Sequence, residues 1–193
     1  LCDQLIALPR EPLRETAMLI RLANELGRLT PNIHLSAAYG LQLDVSASLT
    51  LFGGMQTLVA RVNAGLQAQY IRAHVVLAPS PRGARWLARA HRQLIVEEGL
   101  ADWLDDLGFD NTDMAPSLIE ELQALNLHSL ADLRRLSTKE LNVRFGTELS
   151  LQLAQAYGEI AESLPYWQPA QRFQTPDELI AQVLFGLRGV GAE

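Results

Sequence analysis

The stretch from Ile33 to Leu66 constrains this chain more than any other. Ile33-His34-Leu35-Ser36 and Leu41-Gln42-Leu43-Asp44-Val45 read as two short strands, the second alternating apolar and polar residues with the period of a half-buried strand. Tyr39-Gly40 falls at or near a tight turn between them. Leu49-Thr50-Leu51-Phe52-Gly53-Gly54 follows, and then Met55, Leu58, Val59, Val62 and Leu66 recur on one face of a helix. Two tightly joined strands that feed a helix through a glycine pair point to a mixed α and β architecture.

The flanking sequence extends that order. Residues 12–29 are predicted helical, with Leu19, Leu22, Leu26 and Leu29 on one side, and Pro31 stops the helix because it lacks an N–H and restricts its predecessor. Ile71 to Ala78 is rich in Val, Ile and Leu and reads as a buried strand. Ser80-Pro81 opens a helix with proline at its first position, and Gln93 to Val96 reads as a further strand.

Beyond residue 98 only helices are expected. Ser117 with Glu120, Ser129 with Asp132 and Ser137 with Glu140 each match the capping box that satisfies free N–H groups at a helix start. A longer helix is expected through Leu149, Leu153, Ala156, Ile160 and Leu164, broken between Pro165 and Pro169, with a last helix opening at Thr175-Pro176-Asp177-Glu178. The expected organisation is therefore an α/β part over 1–97, a helical part over 98–173, and the start of a linker over 174–193.

The chain of 193 residues is 48% hydrophobic and 20% charged, a globular composition with enough apolar surface for a core. A formal net charge of −6 argues against a protein that coats nucleic acid, while leaving room for a local basic face. Cys2 is the only cysteine, so no internal disulfide forms, and a reducing, cytoplasmic location fits. No apolar run approaches the ~20 residues that span a bilayer, and no signal peptide is read. The first residue is Leu rather than Met, so the chain reads as a fragment.

Few residues offer chemistry. His34, His74, His91 and His128 are too irregularly spaced for a metal motif, so no metal site and no cofactor are expected. Asp44 is the sole acid on its strand and reads as a surface or turn-capping residue, because one carboxylate is a poor Mg²⁺ site without substrate phosphates. Arg82, Arg85 and Arg89 recur three and four apart as a basic stripe. Two readings stand side by side for it: a phosphate-facing surface, or a solvated face whose stems lie over apolar surface. Asp102, Asp105, Asp106, Asp110 and Asp113 surround Trp103 and Phe109 in an acidic patch that repels phosphate and suits a protein partner. Trp103, Asp105, Asp106 and Phe109 are the partner-surface candidates. Trp86, Trp103 and Trp167 are expected to anchor packing.

Three segments together carry a resemblance to a known family. Leu43-Asp44-Val45-Ser46 followed by Leu51-Phe52-Gly53-Gly54 resembles the palm of Y-family translesion DNA polymerases, in particular the ImuB-like branch that lacks catalysis. Val76 to Ala90 resembles the palm segment in which active members place two basic residues around a bulky-Leu-Ala core. Leu122 to Leu136, with Arg144-Phe145-Gly146 beyond it, resembles the thumb. The resemblance covers roughly residues 1–173 and implies an α+β fold: a Y-family palm followed by a small helical subdomain resembling thumb and fingers.

The departures from that family set the expected function. The acid pair of active members falls here on Tyr39 and Gly40, so no catalytic residue is assigned. The upstream palm strand with the first metal-binding Asp is absent from this chain, and no Gly-rich thumb hairpin is evident between Leu107 and Pro116. A C-terminal domain and clamp-binding tail are expected beyond Glu193. The resemblance implies a non-catalytic adaptor in damage-induced translesion synthesis. Its expected partners are a RecA-like companion of ImuA type, an error-prone DnaE-type polymerase and the sliding clamp, with weak primer–template DNA binding. It also implies that Arg85 and Arg89, with Arg82, sit where active members direct cations at triphosphate or DNA backbone. Two other readings remain: an active translesion polymerase whose metal site is completed outside this stretch, and a protein-interaction domain unrelated to DNA.

Overall fold

The computed structural model describes residues 11–36 and 40–168. Tyr39, Cys2, the helix expected from Thr175 and the linker expected over 174–193 lie outside the described residues.

Pro12–Leu26 forms α1, which opens with proline at its first position and buries Leu22, Ala23 and Leu26. Ile33–Ser36 (β1) and Gly40–Leu43 (β2) pair antiparallel, with Ile33 opposite Leu43 and Ser36 opposite Gly40. Gly40 has φ of +90°, and a Cβ there would meet nothing within 4 Å, so the backbone conformation rather than space favours glycine at this turn. A short 3₁₀ turn over Ser46–Ser48 leads to α2, Met55–Ala68, whose Leu58, Val62 and Leu66 are buried at the expected spacing.

The run from Ile71 to Ala78 departs from expectation: only Val76–Leu77 forms a strand, β3, and it is half-buried. Ile71 serves the end of α2 instead. Its N–H donates to Leu66 O, Tyr70 N–H donates to Gln67 O, and Tyr70 takes φ of +56°. This is a Schellman cap, which calls for an apolar residue just past the left-handed position. His91 and Asn126 are left-handed in the same place after two other helices, so among the described residues all three non-glycine residues with positive φ end helices.

Pro81–Arg89 (α3) carries the chain from β3 across to Leu94–Ile95 (β4), and the two strands pair in parallel, Val76 beside Leu94. Then come α4 (Leu100–Asp105), α5 (Pro116–Ala124), α6 (Leu130–Arg134), α7 (Thr138–Phe145) and α8 (Thr147–Ala156). The boxes at Ser129 and Ser137 form with both reciprocal bonds. The one at Ser117 does not: Pro116 takes the first helical position and Ala115 becomes the cap. Helix α8 is shorter than expected. Gly158 at φ of +80° closes a fourth Schellman cap and leaves Ile160 and Leu164 beyond the helix.

Among the described residues the apolar interior has two centres. One joins α1, β1 and α2 around Leu22, Leu26, Ile33 and Leu58. The other joins α3, β4 and the helices of the C-terminal part around Trp86, Leu87, Leu104, Leu122 and Leu149. Successive strand side chains point to opposite faces. Accordingly Val75 and Leu77 pack on the first centre, Val76 and Ala78 on the second. β3 is the wall between them, and α3 belongs with the helices that follow it.

Candidate functional site

The β1–β2 hairpin sets the first half of the site. Its last strand pair is Ser36 opposite Gly40, and neither carries a carboxylate. Asp44, just past β2, turns onto its own chain: Oδ1 accepts from Ser46 N at 3.1 Å and Ser46 Oγ at 2.7 Å, and Oδ2 accepts from Tyr166 at 3.3 Å. The Ser46 hydroxyl, and then its N–H, hold the Asp44 carboxyl below the usual carboxylate range. This is the turn-stabilising use of an Asp, whose carboxylate accepts from the backbone two residues on. The chain returns over the same hairpin at 165–167, where Pro165 O meets His34 Nδ1 at 2.8 Å and Trp167 N–H donates to Ile33 O.

The second half is α3. Ser80 caps it by accepting from Gly83 N at 3.1 Å, and its hydroxyl donates to Ala156 O, which ties α3 to the end of α8. The spacing of Arg82, Arg85 and Arg89 places all three on one face, and that face turns inward. Asp113 Oδ2 accepts from Arg85 Nη2 at 2.7 Å, Arg85 Nε at 3.1 Å, Arg82 Nη1 at 3.1 Å and Trp86 Nε1 at 3.2 Å. Glu162 Oε1 accepts from Arg82 Nη2 at 2.7 Å and Arg85 Nη2 at 3.3 Å. Arg89 lies 2.9 Å from Asp113 Oδ1 as an ion pair and also donates to Thr112 O. Arg85 Nη1 reaches Gln42 Oε1 at 2.8 Å while Gln42 Nε2 donates to Pro81 O at 2.8 Å, so the β1–β2 hairpin is bolted to the start of α3. Three cations meet two carboxylates here in a largely buried setting.

Electrostatics hold Arg85 and Asp113 ionised. Burial works against the charge of Asp113, but hydrogen bonds and charge from Arg85, the Trp86 N–H and the charge of Arg89 outweigh it and keep the carboxyl below its usual range. Burial likewise opposes the Arg85 cation, and Asp113 and Glu162 more than compensate. Both sequence-level readings of the stripe had it facing outward; instead it braces the fold internally. Neither Asp113 nor Glu162 is legible as its partner from local spacing, since they lie 28 and 77 residues from Arg85.

The partner-surface candidates separate. Trp103 is 43% exposed and Asp106 is exposed, both around α4. Phe109 is 2% exposed and corrects the expectation, because the 3₁₀ turn Phe109–Asn111 swings its ring into the second core beside Leu104 and Met114. Asp105 is engaged by Arg134 through both oxygens at 2.9 Å and by the Tyr157 hydroxyl at 2.7 Å. Between Leu107 and Pro116 the backbone is knotted by Thr112, whose Oγ1 donates to Phe109 O at 2.6 Å and accepts from Met114 N at 3.2 Å.

Comparison with known proteins places this geometry. No family model matches the chain. Over 175 residues, 88% of the chain, it is 26% identical to Protein ImuB of Caulobacter vibrioides in two strains. The fold matches the crystal structure of DinB from Sulfolobus solfataricus with a TM-score of 0.66 over 83% of the chain at 20% identity. An insertion ternary complex of Dbh DNA polymerase matches with a TM-score of 0.65 over 82% of the chain at 21% identity. The chain is ImuB-like, with a Y-family polymerase fold. The ImuB-like chain spans 38% of the length of the ImuB relatives and about half that of the DinB and Dbh chains. Among the described residues no group of three or more His, Cys, Asp or Glu side chains stands close enough to hold a metal, and no helix is long and apolar enough to cross a membrane.

Proposed function

We propose that this ImuB-like chain is the palm-to-thumb part of a Y-family polymerase homologue that keeps the scaffold without the nucleotidyl-transfer chemistry. The observation that carries the reading is the hairpin tip. The positions expected to hold an acid pair are Tyr39 and Gly40, and the one carboxylate that ends the strand, Asp44, caps the turn at Ser46. Two-metal phosphoryl transfer needs carboxylates that hold two cations ~3.5–4 Å apart. Glycine has no ligand atom, and a phenol is a poor substitute for a carboxylate toward Mg²⁺.

In this reading the protein is an adaptor in damage-induced translesion synthesis. It links a RecA-like, ImuA-type companion, an error-prone DnaE-type polymerase and the sliding clamp. Trp103 and Asp106 are the exposed residues of the expected partner surface. The arginines of α3 support docking indirectly, by holding the hairpin to the helical part. Primer–template binding is weak, in keeping with the net charge of −6 and with donors of Arg82, Arg85 and Arg89 already directed at carboxylates. Affinity capture with the full-length protein from cells exposed to a DNA-damaging agent tests the adaptor role. Recovery of the RecA-like companion and the error-prone polymerase, reduced by Trp103→Ala, is expected; recovery of neither contradicts it.

A second reading rests on the structural neighbours, which include DNA polymerases in complex with substrates. It is an active translesion polymerase with metal ligands in other parts of a longer protein. Template-directed primer extension separates the two.

A further inference from the structure

Away from the hairpin and the arginine cluster, two side chains far apart in sequence come together: His74 and His91. β3 and β4 run parallel with Val76 beside Leu94, so His74 and His91 both stand just before the same end of the strand pair. His91 follows α3 in the left-handed position, held by its N–H to Ala88 O at 3.1 Å and by Arg92 N–H to Leu87 O at 3.2 Å. Its Nδ1 and His74 Nε2 share a hydrogen bond of 3.0 Å, with ring centroids 4.8 Å apart and planes at 73°. Both rings are exposed, so a dissolved ion reaches them.

Neutral imidazole is the commonest side-chain ligand of transition metals. With metal–nitrogen bonds of ~2.0–2.1 Å, a nitrogen separation of 3.0 Å corresponds to a ligand–metal–ligand angle of roughly 90–100°. A tetrahedral ion with the same bonds wants its nitrogens about 3.3–3.4 Å apart. Imidazole nitrogens suit Cu²⁺ and Ni²⁺, and such an ion takes the place of the proton that the two nitrogens share. The torsion that orients each imidazole ring is broad and soft, so modest ring rotation turns both lone pairs toward one ion.

We propose that His74 and His91 form a two-imidazole site for Cu²⁺ or Ni²⁺, with water in the remaining positions. Affinity follows the order Cu²⁺ above Ni²⁺ above Co²⁺. His34, bonded to Pro165 O, and His128, beside Asn126 Oδ1, stand elsewhere and serve as controls.

The test is titration of the whole chain with Cu²⁺ and Ni²⁺ in a Cys2→Ser background, which removes the one thiol that competes for the metal. Calorimetry gives the stoichiometry, and electron paramagnetic resonance counts the nitrogens on Cu²⁺. One Cu²⁺ per chain with two coordinated imidazole nitrogens is expected. His74→Gln and His91→Asn should each weaken binding by about tenfold or more, while His34→Gln and His128→Gln leave it unchanged. Asparagine is chosen at 91 because it accepts the left-handed backbone, and circular dichroism establishes that each variant is folded. Absence of Cu²⁺ binding, a single-nitrogen signal, or equal affinity in the folded His74→Gln and His91→Asn chains overturns the proposal.

Discussion

Arg85 and Asp113 are joined through one oxygen and two nitrogens, Nη2 at 2.7 Å and Nε at 3.1 Å, across 28 residues of sequence. The pair is nearly closed to solvent, and Arg82, Trp86 and Arg89 converge on the same carboxylate. Removing one member of a buried ion pair leaves uncompensated charge, which is far costlier than losing an exposed pair. Asp113→Asn is therefore expected to lower unfolding stability by about 3–5 kcal/mol, measured by urea denaturation at neutral pH. An effect of the size seen for exposed pairs would remove the cluster's role as a brace.

The same carboxylate sets a pH dependence. Asp113 ionises more readily when folded than its ordinary value of 3.8, so its contribution is complete above that value and is lost as pH falls through the lower folded value. Acidification from about pH 5 downward should therefore destabilise the parent chain more than Asp113→Asn, and the two stability curves should converge. Denaturation midpoints across that range test the sign; parallel curves would contradict it.

Tyr70 is left-handed at φ of +56° and 98% exposed, so its side chain contributes little while its backbone is strained. Glycine relieves a left-handed position that costs a side-chain-bearing residue roughly 1–2 kcal/mol, partly offset by the entropy glycine adds to the unfolded chain. Tyr70→Gly is expected to raise stability by about 0.5–1 kcal/mol, read as a higher thermal midpoint.

The three Ser-x-x-acid matches should part company on mutation. Ser137 and Ser129 accept from the backbones of Glu140 and Asp132, so alanine at either costs about 1 kcal/mol. Ser117 caps nothing, and Ser117→Ala should change stability by less than about 0.5 kcal/mol. Equal losses at 117 and 137 would refute the assignment of the caps.

Much of the fold was legible because its determinants are local. The apolar faces of α1 and α2, the β1–β2 hairpin, Pro81 at the start of α3 and two capping boxes all follow from residues within one or two turns of each other. Where local signals compete, the local pattern misleads. Ile71 looked like strand but ends a helix, Pro116 displaced the cap from Ser117, and Gly158 cut α8 before Ile160. The site was less legible, because its partners are distant. Helical spacing put Arg82, Arg85 and Arg89 on one face correctly, but nothing local says that the face meets Asp113 and Glu162 rather than solvent. Phe109 was misplaced for the same reason: an aromatic among acids reads as surface until a tight turn carries it inward.

The proposed loss of polymerase chemistry rests on Tyr39 and Gly40 standing in the sequence where an acid pair is expected. Primer extension by the full-length protein, with Mg²⁺ and separately with Mn²⁺, tests it most directly. No template-directed extension above background is the predicted result. Extension that is abolished by Asp44→Asn in a protein that remains folded would contradict it.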